Sequence, residues 1–283
     1  MTLKLGIRAH DFGKLPLEQM AAKVGSFGFR SIQLALAKAI ADMDSGLGKL
    51  SPGYANHVAE TFGKHGVRVA VLGCYINPIN PDKAERRYEI DRFKEHLRYA
   101  RDFGTSLVAT ETGRLDTYLK DYPNDYKEKA WTILRETVEE LAEQAEKYGV
   151  IAAIEPATSL VIHSTEGMLR MLEEVPSPNL GVLIDPCNLM DTDNIVRQDE
   201  VMKEAFEALA ARTVLIHAKD IKENEKGRFE YTGLGTGLLN YPLFLQLVRQ
   251  YKPHIDITLE GVTEEHLPAS LDFFTKTWNE VKL

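Results

Sequence analysis

Four short apolar runs in the second half of the chain each end in a side chain able to hold a cation. They are Val-Ile-Ala-Ala-Ile-Glu155, Leu-Gly-Val-Leu-Ile-Asp185, Val-Leu-Ile-His217 and Ile-Asp-Ile-Thr-Leu-Glu260. If each run is a strand of one closed parallel barrel, the tips share a rim, and three carboxylates and an imidazole converge. Hard oxygens with a single nitrogen suit one divalent ion: Mn2+, Mg2+ or Co2+, with Zn2+ also compatible. The set differs from the sulfur-rich ligands of structural zinc. A bound ion would polarise a substrate carbonyl and its neighbouring hydroxyl, acidifying the carbon-bound proton between them. Glu155 and Glu260 can flank such a substrate, each offering its second oxygen for proton transfer. Removal by one and return by the other inverts a carbon, whereas one carboxylate serving neighbouring carbons moves the carbonyl. The competing reading is a salt-bridge network in which Arg8, Lys219 and Arg228 neutralise the same carboxylates.

The elements that must position these tips repeat. An amphipathic helix closing on glycine, then a short apolar strand, recurs at a spacing of roughly 40 residues, around Gly28, Gly66, Gly104 and Gly149. Later units lose the glycine and keep the order. Strands alternating with helices imply crossovers and a parallel sheet. With the opening run from Leu3 to Arg8 there are eight strand candidates, and a last helix near Glu264 to Val281 completes the count. This predicts a (β/α)8 TIM barrel spanning 1–283 as one domain. The alternative, an open doubly wound sheet, lacks a Gly-rich turn after its first strand. Gly233-Leu-Gly235-Thr-Gly237 comes too late for that role and reads as a flexible turn before a helix at Tyr241.

Alternate residues of a strand face opposite ways, and the outside of a barrel must be apolar to meet the helices. With the four tips inward, the outward residues are Val150, Ala152 and Ile154; Leu180, Val182 and Ile184; Val214 and Ile216; and Ile255, Ile257 and Leu259. All are apolar. The same parity turns Arg8, Gln33, Cys74 and Glu111 inward, so a ring of polar tips follows from pattern alone. Segments 37–50, 75–82 and 219–240 are long connections on that rim, and the first and last read as lids over the site.

Overall charge narrows the partners. Against 34 Lys plus Arg stand 42 Asp plus Glu, a formal charge of -8, which repels nucleic acid and anionic membrane. No signal-like or membrane-spanning stretch is evident, so a cytoplasmic location is expected. The two cysteines, Cys74 and Cys187, are read as free thiols, since no CxxC occurs. The expected partner is a small sugar or polyol-derived molecule, and a homo-oligomer stays open.

The set Ile-Glu155-Pro, Ile-Asp185-Pro-Cys-Asn188, Ile-His217-Ala-Lys219-Asp220 and Leu-Glu260-Gly, with Asn77-Pro-Ile-Asn-Pro81-Asp and Ala109-Thr-Glu111-Thr-Gly113, resembles the xylose isomerase-like superfamily of sugar isomerases and epimerases. The resemblance implies a TIM barrel in which Glu155, Asp185, His217 and Glu260 bind one divalent metal and the two glutamates form the acid/base pair. Relative to the ketose 3-epimerases, Asn188 stands where those proteins usually have His. Their substrate-orienting Arg has no firm match, and Arg228 is the candidate. Further candidates for holding substrate are Glu111, Asn188, Lys219 and Arg8. Lys219 has an alternative as the partner of neighbouring Asp220, and His163 reads as a cap before a helix at Thr165. Two other functions stay open: a lyase that spends the same carbanion by expelling a β-substituent, and a non-catalytic sugar-binding or partner subunit.

Overall fold

The computed structural model describes residues 5–282. Eight parallel strands close into a barrel: β1 (Leu5–Arg8), β2 (Ser31–Leu34), β3 (Arg68–Gly73), β4 (Leu107–Glu111), β5 (Ile151–Glu155), β6 (Leu180–Ile184), β7 (Thr213–Ala218) and β10 (Ile257–Leu259), the last pairing back onto β1. Leu3, placed in the first strand by the sequence, lies outside the described residues. Between β7 and β10 the chain adds an antiparallel hairpin, β8 (Asp220–Glu223) and β9 (Phe229–Thr232). No helix among the described residues is long and apolar enough to cross a membrane.

Helices start and stop where local chemistry directs. Ser51 and Asp82 accept backbone N–H groups at the starts of the helices Pro52–Lys64 and Lys83–Tyr99. Gly149 takes a left-handed conformation, φ 63°, and turns the helix Tyr126–Tyr148 into β5, as the recurrent helix–glycine–strand pattern requires. Ser164, not His163, caps the helix Thr165–Glu174. The final helix runs over Leu267–Glu280, preceded by a single 3-10 turn.

Two apolar layers flank the sheet. The outer one joins strands to helices and contains Ala152, Ile154, Val182, Ile184, Ile216, Ile257 and Leu259, as parity predicts. The inner one is small: Ala70, Val71, Ala109, Ala153, Leu183 and Leu215, with Leu107 and Val214 against them. It plugs the barrel below the rim, so the polar tips sit on a solid apolar floor.

Strict alternation fails at two places, each with a visible cause. Between β2 and β3 the register jumps so that Ile32 pairs with Val69 and Gln33 with Val71, leaving Ala70 as an extra residue. Beyond that bulge the parity of β3 is reversed, and Cys74, expected inward, packs in the outer layer while Gly73 and Tyr75 border the mouth. The second bulge lies between β6 and β7, where Val182 pairs with Thr213 and Leu183 with Leu215. Val214, expected outward, therefore packs into the barrel floor. There a methyl group added at Gly181 would meet Val214 Cγ2 at 2.9 Å and Ile151 Cγ2 at 2.7 Å. Gly181→Ala is accordingly expected to overpack the floor and lose about 1–3 kcal/mol in urea unfolding. Unaltered stability would mean that Val214 does not fill that space.

Candidate metal centre

Each of the four sequence-predicted ligands stands at or just past the end of a different strand, so the closure of the barrel brings them together. One donor atom from each of Glu155, Asp185, His217 and Glu260 lies within 4.8 Å of the others. All four residues are buried. His217 Nδ1 is the hub, 2.9 Å from Glu260 Oε2, 3.2 Å from Glu155 Oε1 and 3.7 Å from Asp185 Oδ2. The far nitrogen, Nε2, meets Gln33 Oε1 at 2.6 Å, and Gln33 Nε2 donates to the Tyr75 hydroxyl at 2.9 Å. Gln33 Oε1 can accept the Nε2 proton, which leaves Nδ1 facing the carboxylates: it donates to them while the ring is charged and is the nitrogen free to ligate once the ring is neutral.

Asp185 is oriented by its own turn. Its Oδ1 accepts the backbone N–H groups of Cys187 at 2.9 Å and Asn188 at 3.3 Å, which aims Oδ2 into the cluster. Oδ2 is buried and makes no hydrogen bond of acceptable geometry, although Lys219 Nζ stands 3.0 Å away. Asn188 Nδ2 donates to Glu155 Oε1 at 2.6 Å, while Glu155 Oε2 accepts no hydrogen bond among the described residues. On the opposite side Glu260 Oε1 takes Lys219 Nζ at 2.9 Å and Arg8 Nη1 at 2.8 Å. Asp11 holds Arg8 with Oδ1 and binds the Gly261 N–H with Oδ2.

Charge decides what the cluster can hold. Glu155, Asp185, Glu260 and Asp11 bring four carboxylates against two permanent cations, Arg8 and Lys219. The two negative charges left over among these groups match one divalent ion, and buried Asp185 Oδ2, ion-paired with Lys219, still lacks a well-aligned hydrogen bond. Three hard oxygens and one imidazole nitrogen fit such an ion. In its absence the protein compensates with a proton. Burial alone would push His217 down, but Glu155 and Glu260 outweigh it and raise its pKa to about 10. Burial raises the Asp185 carboxyl. For Glu260, burial is overcome by His217, Lys219 and Arg8, which hold its carboxyl well below the usual range.

The other candidates separate. Lys219, 1 % exposed, bridges Asp185 and Glu260 and does not pair with Asp220. Asp220 instead anchors the Gly-rich segment: its carboxylate accepts the N–H groups of Ile221, Gly235, Gly237 and Leu239. The segment read as a flexible turn is thus wrapped around a buried anion. Glu111 pairs in register with Glu155, and its carboxyl is raised by desolvation and then by Glu155 and Glu260. Arg228 is exposed in the hairpin turn, and its side chain joins none of the site's hydrogen bonds or ion pairs. The expected orienting arginine is not brought to the cluster. Cys187 is buried, with Sγ 3.1 Å from the Lys219 carbonyl, so it is not among the cluster's donors. Sequence reasoning gave no role to Gln33, although parity had turned it inward. It also missed Tyr231 of β9, whose ring lies 5.0 Å from Lys219 Nζ and lines a recess of about 140 Å3 beside Asn188 and Phe229.

The family profile described as "Xylose isomerase-like TIM barrel" matches residues 21–277. The chain belongs to this xylose isomerase-like TIM-barrel family. Among curated relatives it is 26% identical over 211 residues to "Probable endonuclease 4" of Mycoplasma mobile, covering 71% of each chain. It is 34% identical over 102 residues to the "3-oxo-isoapionate decarboxylase" of Pectobacterium atrosepticum, a match covering 34% of each. Among solved structures, D-psicose 3-epimerase of Clostridium cellulolyticum H10 with D-tagatose superposes with a TM-score of 0.71 at 17% identity, over 98% of this chain and 99% of that one. Such a family barrel shares its fold with enzymes of differing reactions, so the chemistry must be argued from the site.

A ligating imidazole must surrender its proton. Uptake of Mn2+ at pH 7 is therefore expected to release about one proton, seen by calorimetry in buffers of different ionisation enthalpy, and affinity should weaken as pH falls. In ion-free protein the raised value adds stability present below pH 6.5 and lost as pH rises through about 10. Gln33→Leu should weaken Mn2+ binding by roughly 10- to 100-fold. Equal affinity in the variant would remove Gln33 from the support of the site.

Proposed function

We propose that the protein is a divalent-metal-dependent isomerase or epimerase of a ketose or related hydroxyketone. The observation that carries this reading is the convergence of Glu155, Asp185, His217 and Glu260 within 4.8 Å, buried at the mouth of a barrel. When bound, the ion would be held by these four side chains and would polarise the substrate's carbonyl and adjacent hydroxyl.

The chain's own groups then divide the work. Glu155 and Glu260 stand at the two ends of the run of strands β5-β6-β7-β10, and in this reading they flank a small substrate. Glu155 Oε2 accepts no hydrogen bond among the described residues, so it is an atom available to take a carbon-bound proton. Glu260 is held ionised by His217, Lys219 and Arg8, and the two cations can equally steady negative charge gathering on substrate oxygens. Return by Glu155 of the proton it took, to a neighbouring carbon, gives isomerisation; epimerisation instead uses ionised Glu260 as the base, with a proton carried by Glu155 delivered to the opposite face and both glutamates reset by exchange with solvent. Tyr231 of the hairpin flanks Lys219 on one side of the site.

A lyase is the second reading. Lys219 and Arg8 would stabilise the same carbanion if it arose by loss of carbon dioxide or was spent by expelling a β-substituent, and one relative is named a decarboxylase. The endonuclease likeness carries less weight for this site. Among the described residues a single group of four ligands is found, and the chain's charge of -8 opposes a DNA backbone.

Protein stripped of metal and resupplied with Mn2+ should exchange solvent deuterium into a ketose at the carbon beside the carbonyl. Glu155→Gln and Glu260→Gln should each lower that exchange by about 10^2- to 10^4-fold. Release of carbon dioxide or water without exchange would transfer the assignment to the lyase. Glutamine variants that retain full turnover would defeat both enzyme readings.

A further inference from the structure

Beside the metal cluster, between the segments that follow β1, β2 and β3, lies a cavity of about 410 Å3, within the range of small-molecule sites. Its walls carry Lys14, Lys38, Arg92 and His96, together with Ser45 and Tyr75. Lys14, Lys38 and Arg92 make no ion pair among the described residues. The carboxylate on the wall, Asp44, is within 3.7 Å of Lys49. In a chain of net charge -8, three cations without an ion-pair partner among the described residues gather around one cavity, with Glu111 near enough to Lys38 to feel its charge.

Two of these cations are held in place. Lys38 Nζ sits 3.8 Å above the Tyr75 ring, and Arg92 Nη2 donates to the Tyr75 carbonyl at 2.6 Å. His96 is 2 % exposed, and its Nδ1 is 2.8 Å from the Arg92 carbonyl. Nε2 is the ring's remaining polar atom, without a partner among the described residues. Burial, with Arg92 nearby, lowers the His96 pKa to about 4, so the ring is neutral and Nε2 accepts a hydrogen bond. Tyr75 joins the cavity to the metal cluster, because its hydroxyl is bonded to the Gln33 that supports His217.

We propose that this cavity is a substrate subsite for an anionic oxygen group, a phosphate ester or a carboxylate, borne by the same molecule whose reacting carbons lie at the metal cluster. Lys14, Lys38 and Arg92 neutralise the anion, and His96 Nε2 accepts from a hydroxyl carried beside it. The proposal rests on the isomerase or lyase reading for the reacting end, and narrows its substrates to acidic sugars or sugar phosphates.

Inorganic phosphate and malonate, titrated calorimetrically into the metal-loaded full chain, test the subsite without turnover. Saturable binding of either anion is expected, weakened about tenfold or more in Lys14→Gln/Lys38→Gln with an unchanged circular dichroism spectrum. Preference for phosphate assigns a phosphate ester, and preference for malonate a carboxylate. Failure of the wild-type protein to bind either anion overturns the proposal. So does binding that the double substitution leaves unaltered, since that anion would sit on the metal. Missing deuterium exchange with D-fructose and D-fructose 6-phosphate would count against the isomerase and leave the anion measurement standing.

Discussion

Removing three carboxylates from water is the constraint around which the mouth of this barrel is built. Each buried charge carries a desolvation cost that only opposite charge and hydrogen bonds offset. The chain meets it from many directions: a turn holds Asp185, Asn188 steadies Glu155, Arg8 and Lys219 pair with Glu260, and His217 faces all three acids. Even so, Asp185 Oδ2 is left without a hydrogen bond. The deficit is electrostatic and has the sign and size that one doubly charged cation fills.

Support for the cluster comes from residues remote in sequence. Gln33 of β2 reaches the imidazole 184 positions later, and Asp11 fixes both Arg8 and the backbone at Gly261, 250 positions away. A closed ring makes such meetings ordinary, because β1 lies between β2 and β10. The apolar floor of alanine, valine and leucine below them keeps the charged layer at the rim and water out of the barrel.

The convergence of the four polar tips and the barrel were legible in the sequence because both follow from periodicity: the apolar outer face must alternate with whatever points inward. Periodicity cannot register an inserted residue. The bulges at Ala70 and Val214 each reversed a local parity, which is why Cys74 and Val214 were assigned to the wrong faces. The hairpin over the mouth was hidden for another reason. Its strands, Asp-Ile-Lys-Glu and Phe-Glu-Tyr-Thr, are largely solvated and pair only with each other, so no apolar stripe marks them. Asp220 looked like a surface partner for Lys219 because a sequence does not reveal four backbone N–H groups folding back on one carboxylate. The cationic cavity was equally unreadable, since Lys14, Lys38 and Arg92 lie on three separate segments.

The four tips that could hold a cation belong to four different strands, all in the half of the barrel from β5 to β10. A cation seated there would act as a clasp spanning residues 155 to 260, engaged only when that half is fully assembled. Partly folded chains with one strand missing would gain little from it. Its stabilisation would thus be concentrated in the native state, sharpening cooperativity and slowing the first opening of the ring.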